Sequence, residues 1–145
     1  MTEMLIRPCC NRDLFQIKVL LAELGYEIDD DKLKLQLQTY INSSSSTLLV
    51  NEADDSILGF IAGHLIPLVH DVGNLGRITA LTVTEQARRQ GVGSQLVSEL
   101  ESWFVINNCK RFEVTSGDHR HDAHSFYESC GFERDERRFI KRQVT

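Results

Sequence analysis

The stretch RITALTVTEQARRQGVGSQLV, residues 77–97, changes character halfway along. Arg77 to Thr84 is rich in β-branched residues and almost continuously apolar, as a central strand covered on both faces requires. From Gly91 to Ile106 the apolar residues Val92, Leu96, Val97, Leu100, Trp103 and Phe104 recur at helical spacing. Between them stands Arg88-Arg89-Gln90-Gly91-Val92-Gly93, a loop that opens a helix. Glycines let a backbone pass close to a ligand and take unusual dihedrals. The free N–H groups of a helix's first turn then point at an anion, aided by the dipole. Taken by itself, the loop admits two readings: a phosphate cradle, or a glycine-softened turn with solvated arginines. It is neither a dinucleotide fingerprint, because Leu96 stands where the third glycine belongs, nor a P-loop, because G-K-[ST] is absent.

Outward from this stretch, the remaining pattern is that of alternating short elements. Met4 to Arg7 reads as a strand ended by Pro8. Asn11 or Asp13 can cap a helix whose apolar face is Leu14, Ile17, Leu20, Leu21 and Leu24, closed by Gly25. The acidic turn Glu27 to Asp31 opens a second helix reaching Ile41, with Leu33, Leu37 and Ile41 on one stripe. A serine run, Ser43 to Ser46, is a loop. Thr47 to Asn51 and Ile57 to Leu68 form a hairpin about the turn Ala53-Asp54-Asp55-Ser56, and Asp71 to Gly76 is a loop. Arg111 to Ser116 is a strand, His121 to Cys130 a short helix stopped by Gly131, and Arg138 to Val144 a final strand. The order β-α-α-β-β-β-α-β-α-β predicts one α/β or α+β sheet domain spanning residues 1–145.

Composition limits the function classes. With 41% hydrophobic and 26% charged residues, the chain is ordinary for a globular protein. A net charge of -5 argues against nucleic acid as the main partner, since phosphate backbones attract basic faces. Basic residues do gather at Arg88 and Arg89 and from Arg134 to Arg142, which leaves room for a small polyanion. The start MTEMLIRPCC lacks the apolar core of a secretory leader, and no segment reaches membrane-spanning length. Cys9, Cys10, Cys109 and Cys130 form no C-x-x-C pair and read as reduced thiols in the cytoplasm.

Arg88-x-x-Gly91-x-Gly93 after an A-L-T-V strand resembles the acetyl-CoA signature R/Q-x-x-G-x-G/A of GNAT-superfamily N-acetyltransferases. The segment from His121 to Phe132, HDAHSFYESCGF, resembles the A-x-x-F-Y-x-x-x-G-F segment after the fifth strand of many members. The details RHDAH-x-FY and RFIK are similar to aminoalkylphosphonate N-acetyltransferases. The resemblance implies a GNAT fold, a mixed and mainly antiparallel sheet with helices on both faces. It also implies acetyl-CoA as cosubstrate and a small-molecule amine as partner, with a homodimer as the common assembly. Leu81, Thr82 and Val83 would line the pantetheine arm, and Arg88, Arg89, Gln90, Gly91, Val92, Gly93 and Ser94 would hold the pyrophosphate. Arg120 and Phe126 would complete the cofactor site. Two departures stand out: Ile78-Thr79-Ala80-Leu81 has no glutamate where many members place one, and Arg120 replaces the usual asparagine.

Acetyl transfer to an amine needs a proton removed from the ammonium, donors for an oxyanion and a proton for the leaving thiolate. Tyr127 is the expected proton donor, against the plainer role of a packed tyrosine. A backbone N–H near Leu81 is the expected oxyanion donor. The base is left between Glu113, His64, His70 and a water relay, each residue having a plain structural alternative. His119-x-His121-x-x-His124 invites a metal, but no cysteine or carboxylate cluster accompanies it, so no metal is expected. Two other functions fit the same motifs: acetylation of a protein N-terminus or lysine, and a non-catalytic acetyl-CoA sensor.

Overall fold

The structure is a computed structural model that describes residues 3–115, 121–135 and 137–143. Two compact units divide the chain, Met1–Thr115 and Ser116–Thr145. The first holds a five-stranded sheet in the order β1-β2-β3-β4-β5. Its strands are β1 (Met4–Pro8), β2 (Ser46–Ala53), β3 (Ser56–Pro67), β4 (Asn74–Val83) and β5 (Cys109–Val114). Three helices belong to it: α1 (Leu14–Glu23), α2 (Asp30–Ile41) and α3 (Val92–Ile106). The second unit contains α4 (His121–Ser129).

Each neighbouring pair from β1 to β4 is antiparallel, and β5 joins β4 in parallel. The β2–β3 hairpin turns on Asp54 and Asp55, both with positive φ (50° and 63°), as a two-residue turn matched to strand twist demands. The parallel pair is possible because α3 carries the chain back across the sheet.

Strand alternation sorts the core into two layers. Leu48, Val50, Phe60 and Ala62 meet Ile17 and Leu20 of α1 and Leu33 and Leu37 of α2. The opposite face lies under α3, whose Val92, Leu96, Val97, Leu100 and Phe104 are all buried. That helix sits close to the sheet because two strand positions lack a side chain. A Cβ on Gly63 would stand 2.6 Å from Leu100, and one on Gly76 would stand 2.7 Å from the Phe104 ring. The expected GNAT arrangement, mostly antiparallel with helices on both faces, is therefore the one found.

Several boundaries differ from the sequence expectation. β4 begins at Asn74 rather than Arg77, because pairing with β3 extends to Pro67↔Asn74 and Asn74 is tied to Asn107 and Asn108. Gly76, expected in the loop, is thus inside the strand, and tertiary pairing overrides its weak β propensity. Leu24 and Ile41, expected on buried stripes, are exposed helix ends. Asp13 holds the N-cap position of α1, but its side chain makes no cap bond there; it accepts from Cys10 N–H at 2.8 Å and from both Arg7 terminal nitrogens, and is itself buried. The final strand expected from Arg138 is not formed over 137–143. Its two large apolar residues, Phe139 and Ile140, are adjacent, so a strand there would carry one on each face among charged neighbours, with no alternating apolar face to favour pairing. Both are exposed.

Candidate active site

The parallel pairing of β4 with β5 stops at Ile78↔Val114, yet β4 continues to Val83. Among the described residues, the second half of β4 therefore has a hydrogen-bonding partner only on its β3 side. The departure point carries a bulge: Ala62 pairs with Ala80 and Gly63 with Ile78, leaving Thr79 as the extra residue. Past the bulge, Thr84 N–H donates to Leu58 O at 2.8 Å. Backbone groups alternate between the two edges of a strand. Thr82 accordingly faces β3, while Leu81 and Val83 turn their N–H and C=O groups to the open edge. The Thr82 side chain is buried.

The open edge leads directly into a helix start. Glu85–Ala87 forms one 3-10 turn, with Ala87 buried as its anchor. Arg88 is extended, Arg89 adopts φ 66° and Gly91 φ 81°, so the chain reverses sharply before α3. Arg89 pays roughly 1–2 kcal/mol for a left-handed conformation that glycine takes freely. Gln95 N–H bonds to Gly91 O, which makes it the first closed turn. The N–H groups of Val92, Gly93 and Ser94 precede that turn, and among the described residues no side chain caps them. A Cβ at Gly91 would meet nothing within 4 Å, so approach is unobstructed. Arg88, Arg89 and Gln90 are exposed around this point. Glu23, at the end of α1, braces the junction: it accepts from Thr84 Oγ1 at 2.9 Å and from Glu85 N–H at 3.0 Å.

His64 and Glu113 share one cross-sheet row, through the pairs His64↔Arg77 and Arg77↔Glu113. His64 is half-buried, with Nδ1 2.9 Å from Ser46 Oγ and Nε2 2.7 Å from Thr79 Oγ1. The Tyr40 hydroxyl from α2 lies 3.4 Å from the same Nε2, and the two rings are tilted 5.6 Å apart. Burial lowers the His64 pKa below its ordinary 6.5, which favours the neutral ring. Glu113 is engaged differently: Arg77 donates to it at 2.8 Å and Arg111 lies 3.3 Å away. His70 is exposed in the β3–β4 loop.

In the second unit, Tyr127 and Phe126 are half-buried on α4. Tyr127 packs edge-on between Phe126 at 5.3 Å and Phe132 at 5.8 Å. Gly131, with φ 95°, ends the helix as expected, and Phe132 N–H reaches back to Tyr127 O at 3.0 Å. Arg120 and His119 lie outside the described residues.

Of the residues singled out from sequence, Leu81, Thr82, Val83 and the run Arg88 to Ser94 fall on one continuous path. His64 and Glu113 fall on one face of the same sheet. Sequence reading missed Glu23, Ser46 and Tyr40. No local pattern links them to the site, since Glu23 meets Thr84 across 61 positions of chain.

An open strand edge ending in an uncapped, glycine-turned helix start defines a domain that can hold an extended amide chain tipped with phosphates. The chain belongs to the acetyltransferase (GNAT) family, whose profile matches residues 13–132. It is therefore an acyltransferase. It is similar to the aminoglycoside N(6')-acetyltransferase type 1 of Stenotrophomonas maltophilia, with 27% identity over 114 residues covering 74% of this chain and 72% of that protein. It is also similar to the aminoalkylphosphonate N-acetyltransferase of Salmonella typhimurium, with 31% identity over 85 residues covering 59% of this chain and 55% of the relative. Among solved structures, the aminoglycoside N-acetyltransferase AAC(6')-Iy in complex with CoA superposes with a TM-score of 0.88 at 19% identity, covering 100% of this chain and 97% of that one. A GNAT family acetyltransferase of Staphylococcus aureus superposes with a TM-score of 0.82 at 23% identity, covering 99% and 100%. These structural likenesses concern the fold.

Proposed function

We propose that the protein transfers acetyl from acetyl-CoA to the primary amine of a small molecule, by direct attack while both substrates are bound. The observation that carries this reading is the continuity of the β4 edge beyond Ile78 with the start of α3, the one unpaired and the other uncapped among the described residues. The pantetheine arm of CoA is an extended chain with two amides. Val83 and the Leu81 C=O offer it strand-like hydrogen bonds, with Thr82 between them turned to β3. The pyrophosphate suits the N–H groups of Gly91, Val92, Gly93 and Ser94, with Arg88, Arg89 and Gln90 adding charge and donors. Arg120 and Phe126 are assigned to the cofactor by resemblance. The small-molecule acceptor is supported by the names of both curated relatives, an aminoglycoside and an aminoalkylphosphonate acetyltransferase.

In the transfer, the ammonium first loses a proton. The amine nitrogen then bonds to the thioester carbonyl carbon, the oxygen charge is met by the Leu81 N–H, and the C–S bond breaks. By the resemblance, the thiolate takes its proton from the Tyr127 phenol, and the second proton shed by nitrogen as the amide forms restores that phenol. His64 is assigned as the base. Burial favours its neutral, proton-accepting form, whereas Glu113 is already engaged by two guanidiniums. The family match reaches into both compact units, which supports one catalytic domain over residues 1–145. Four free cysteines suit a cytoplasmic setting, and a homodimer is the assembly proposed.

The test is thiol release from acetyl-CoA across aminoglycosides, aminoalkylphosphonates, polyamines and amino acids, beside protein amines. Transfer to a small amine is expected, with Tyr127→Phe lowering kcat by about 100-fold at unchanged KM for acetyl-CoA. Transfer to protein amines alone, or binding of acetyl-CoA without turnover, would overturn the reading.

A further inference from the structure

Thr79 occupies an unusual place. It is the bulged residue of β4 and the first beyond the last β4–β5 pair, so its exposed side chain stands where the open edge begins. Val83 lies four residues further on, roughly 13 Å at strand spacing, next to the helix start that takes the phosphates. An arm laid along Val83 and Leu81 from the α3 end therefore brings its acyl terminus toward Thr79. Behind Thr79 the hydrogen bonds continue inward: Thr79 Oγ1 to His64 Nε2 at 2.7 Å, then His64 Nδ1 to Ser46 Oγ at 2.9 Å.

We propose that Thr79 is a catalytic residue: its hydroxyl receives the proton shed by the acceptor amine while passing its own proton to Nε2 of His64. The proposal rests on the acetyl-transfer reading above. The amine leaves as a neutral nucleophile, Thr79 ends as it began, and His64 becomes an imidazolium that later returns the proton to solvent. Ser46 is the positioning residue. By accepting from Nδ1–H, it holds the ring in the tautomer whose Nε2 is open. Among the described residues, the titratable groups facing the imidazole are Tyr40 from α2 and Arg77 from β4, the latter paired with Glu113, so none of them is a free carboxylate competing for the proton.

The experiment compares Thr79→Val and Thr79→Ser with the parent protein on an accepted amine. Thr79→Val is expected to lose about 10-fold to 100-fold in kcat, at or below the low end for a positioned acid–base group because water can substitute in part. KM for acetyl-CoA should hold, Thr79→Ser should restore the rate, and the deficit should shrink above about pH 9, where the free amine becomes plentiful. Nitrogen-15 NMR of the protein alone should report His64 protonated on Nδ1, and less so in Ser46→Ala. An undiminished rate in Thr79→Val, a loss not rescued by serine, or an Nε2-protonated ring overturns the relay while leaving acetyl transfer standing. A Tyr127→Phe variant with full activity would instead strike the underlying mechanism.

Discussion

The Glu23 carboxylate accepts from the backbone N–H of Glu85 at 3.0 Å, so the end of α1 caps the turn that follows β4. The second oxygen takes the Thr84 hydroxyl. One side chain thereby fixes where the open strand edge hands over to the helix start. Removing it leaves a turn without its acceptor, a loss of about 1 kcal/mol by analogy with other caps. Glu23→Ala should raise KM for acetyl-CoA about three- to tenfold with kcat nearly unchanged. A steady-state analysis separates the two, and an unchanged KM would show that the junction holds its shape unaided.

Gly91 introduces α3 at φ 81°, a conformation that costs an L-residue about 1–2 kcal/mol. There is open space beside it, so the expected damage from Gly91→Val is conformational and local to the first turn. Calorimetric titration should find acetyl-CoA bound at least about tenfold more weakly, close to 1.4 kcal/mol. A valine variant binding as tightly as the parent would remove the first-turn N–H groups from the site.

Asp13 is buried beneath Arg7, which also binds Glu52. Desolvation pushes the Asp13 carboxyl up, but the Arg7 bonds and the Cys10 N–H outweigh it and hold it below its ordinary 3.8. A depressed carboxylate stabilises the fold above its unfolded pKa, and that contribution is lost as pH falls through the lower folded value. Asp13→Asn should cost about 3 kcal/mol at pH 7, as for a broken buried pair. The difference in denaturation midpoint between parent and variant should narrow by pH 3. An equal difference at both pH values would mean that shape, not charge, is responsible.

Most of the fold was legible because its elements carry strong local signals: the stripe of α3, the β-branched run of β4 and the double aspartate of the hairpin. The helix-start cradle was legible for the same reason, since all its parts are contiguous from Arg88 to Ser94. The start of β4 was not, because Asn74 to Gly76 become strand only through partners on β3 and beside α3. The proton path was hidden as well. His64, Thr79 and Ser46 come from three strands, and nothing but register brings them together. The stretch Ile78 to Leu81 showed only that a glutamate is missing, and the Thr79 hydroxyl within it says nothing until its neighbour is known.

His64 should set the acid limb of the pH–rate profile. Its pKa is lowered by burial, so the ring stays neutral and able to accept a proton to a pH below 6.5. Among the described residues, Tyr40, Arg77 and the Arg77-bound Glu113 are the titratable groups around it, and none supplies a nearby unpaired carboxylate to raise it. A plot of kcat/KM for the amine should rise through an apparent value below 6.5 and then level. In His64→Gln the plateau should fall by about 100-fold and the limb should vanish, leaving a rate that climbs with hydroxide and free amine. The same shift has a stability sign. The unfolded chain takes up the His64 proton more readily, so this residue's contribution is present above about pH 6.5 and declines as pH falls. Glutamine cannot titrate, so His64→Gln should flatten that decline while removing the kinetic limb. A parent profile that keeps rising to pH 9 would assign the proton to solvent and return His64 to a structural role.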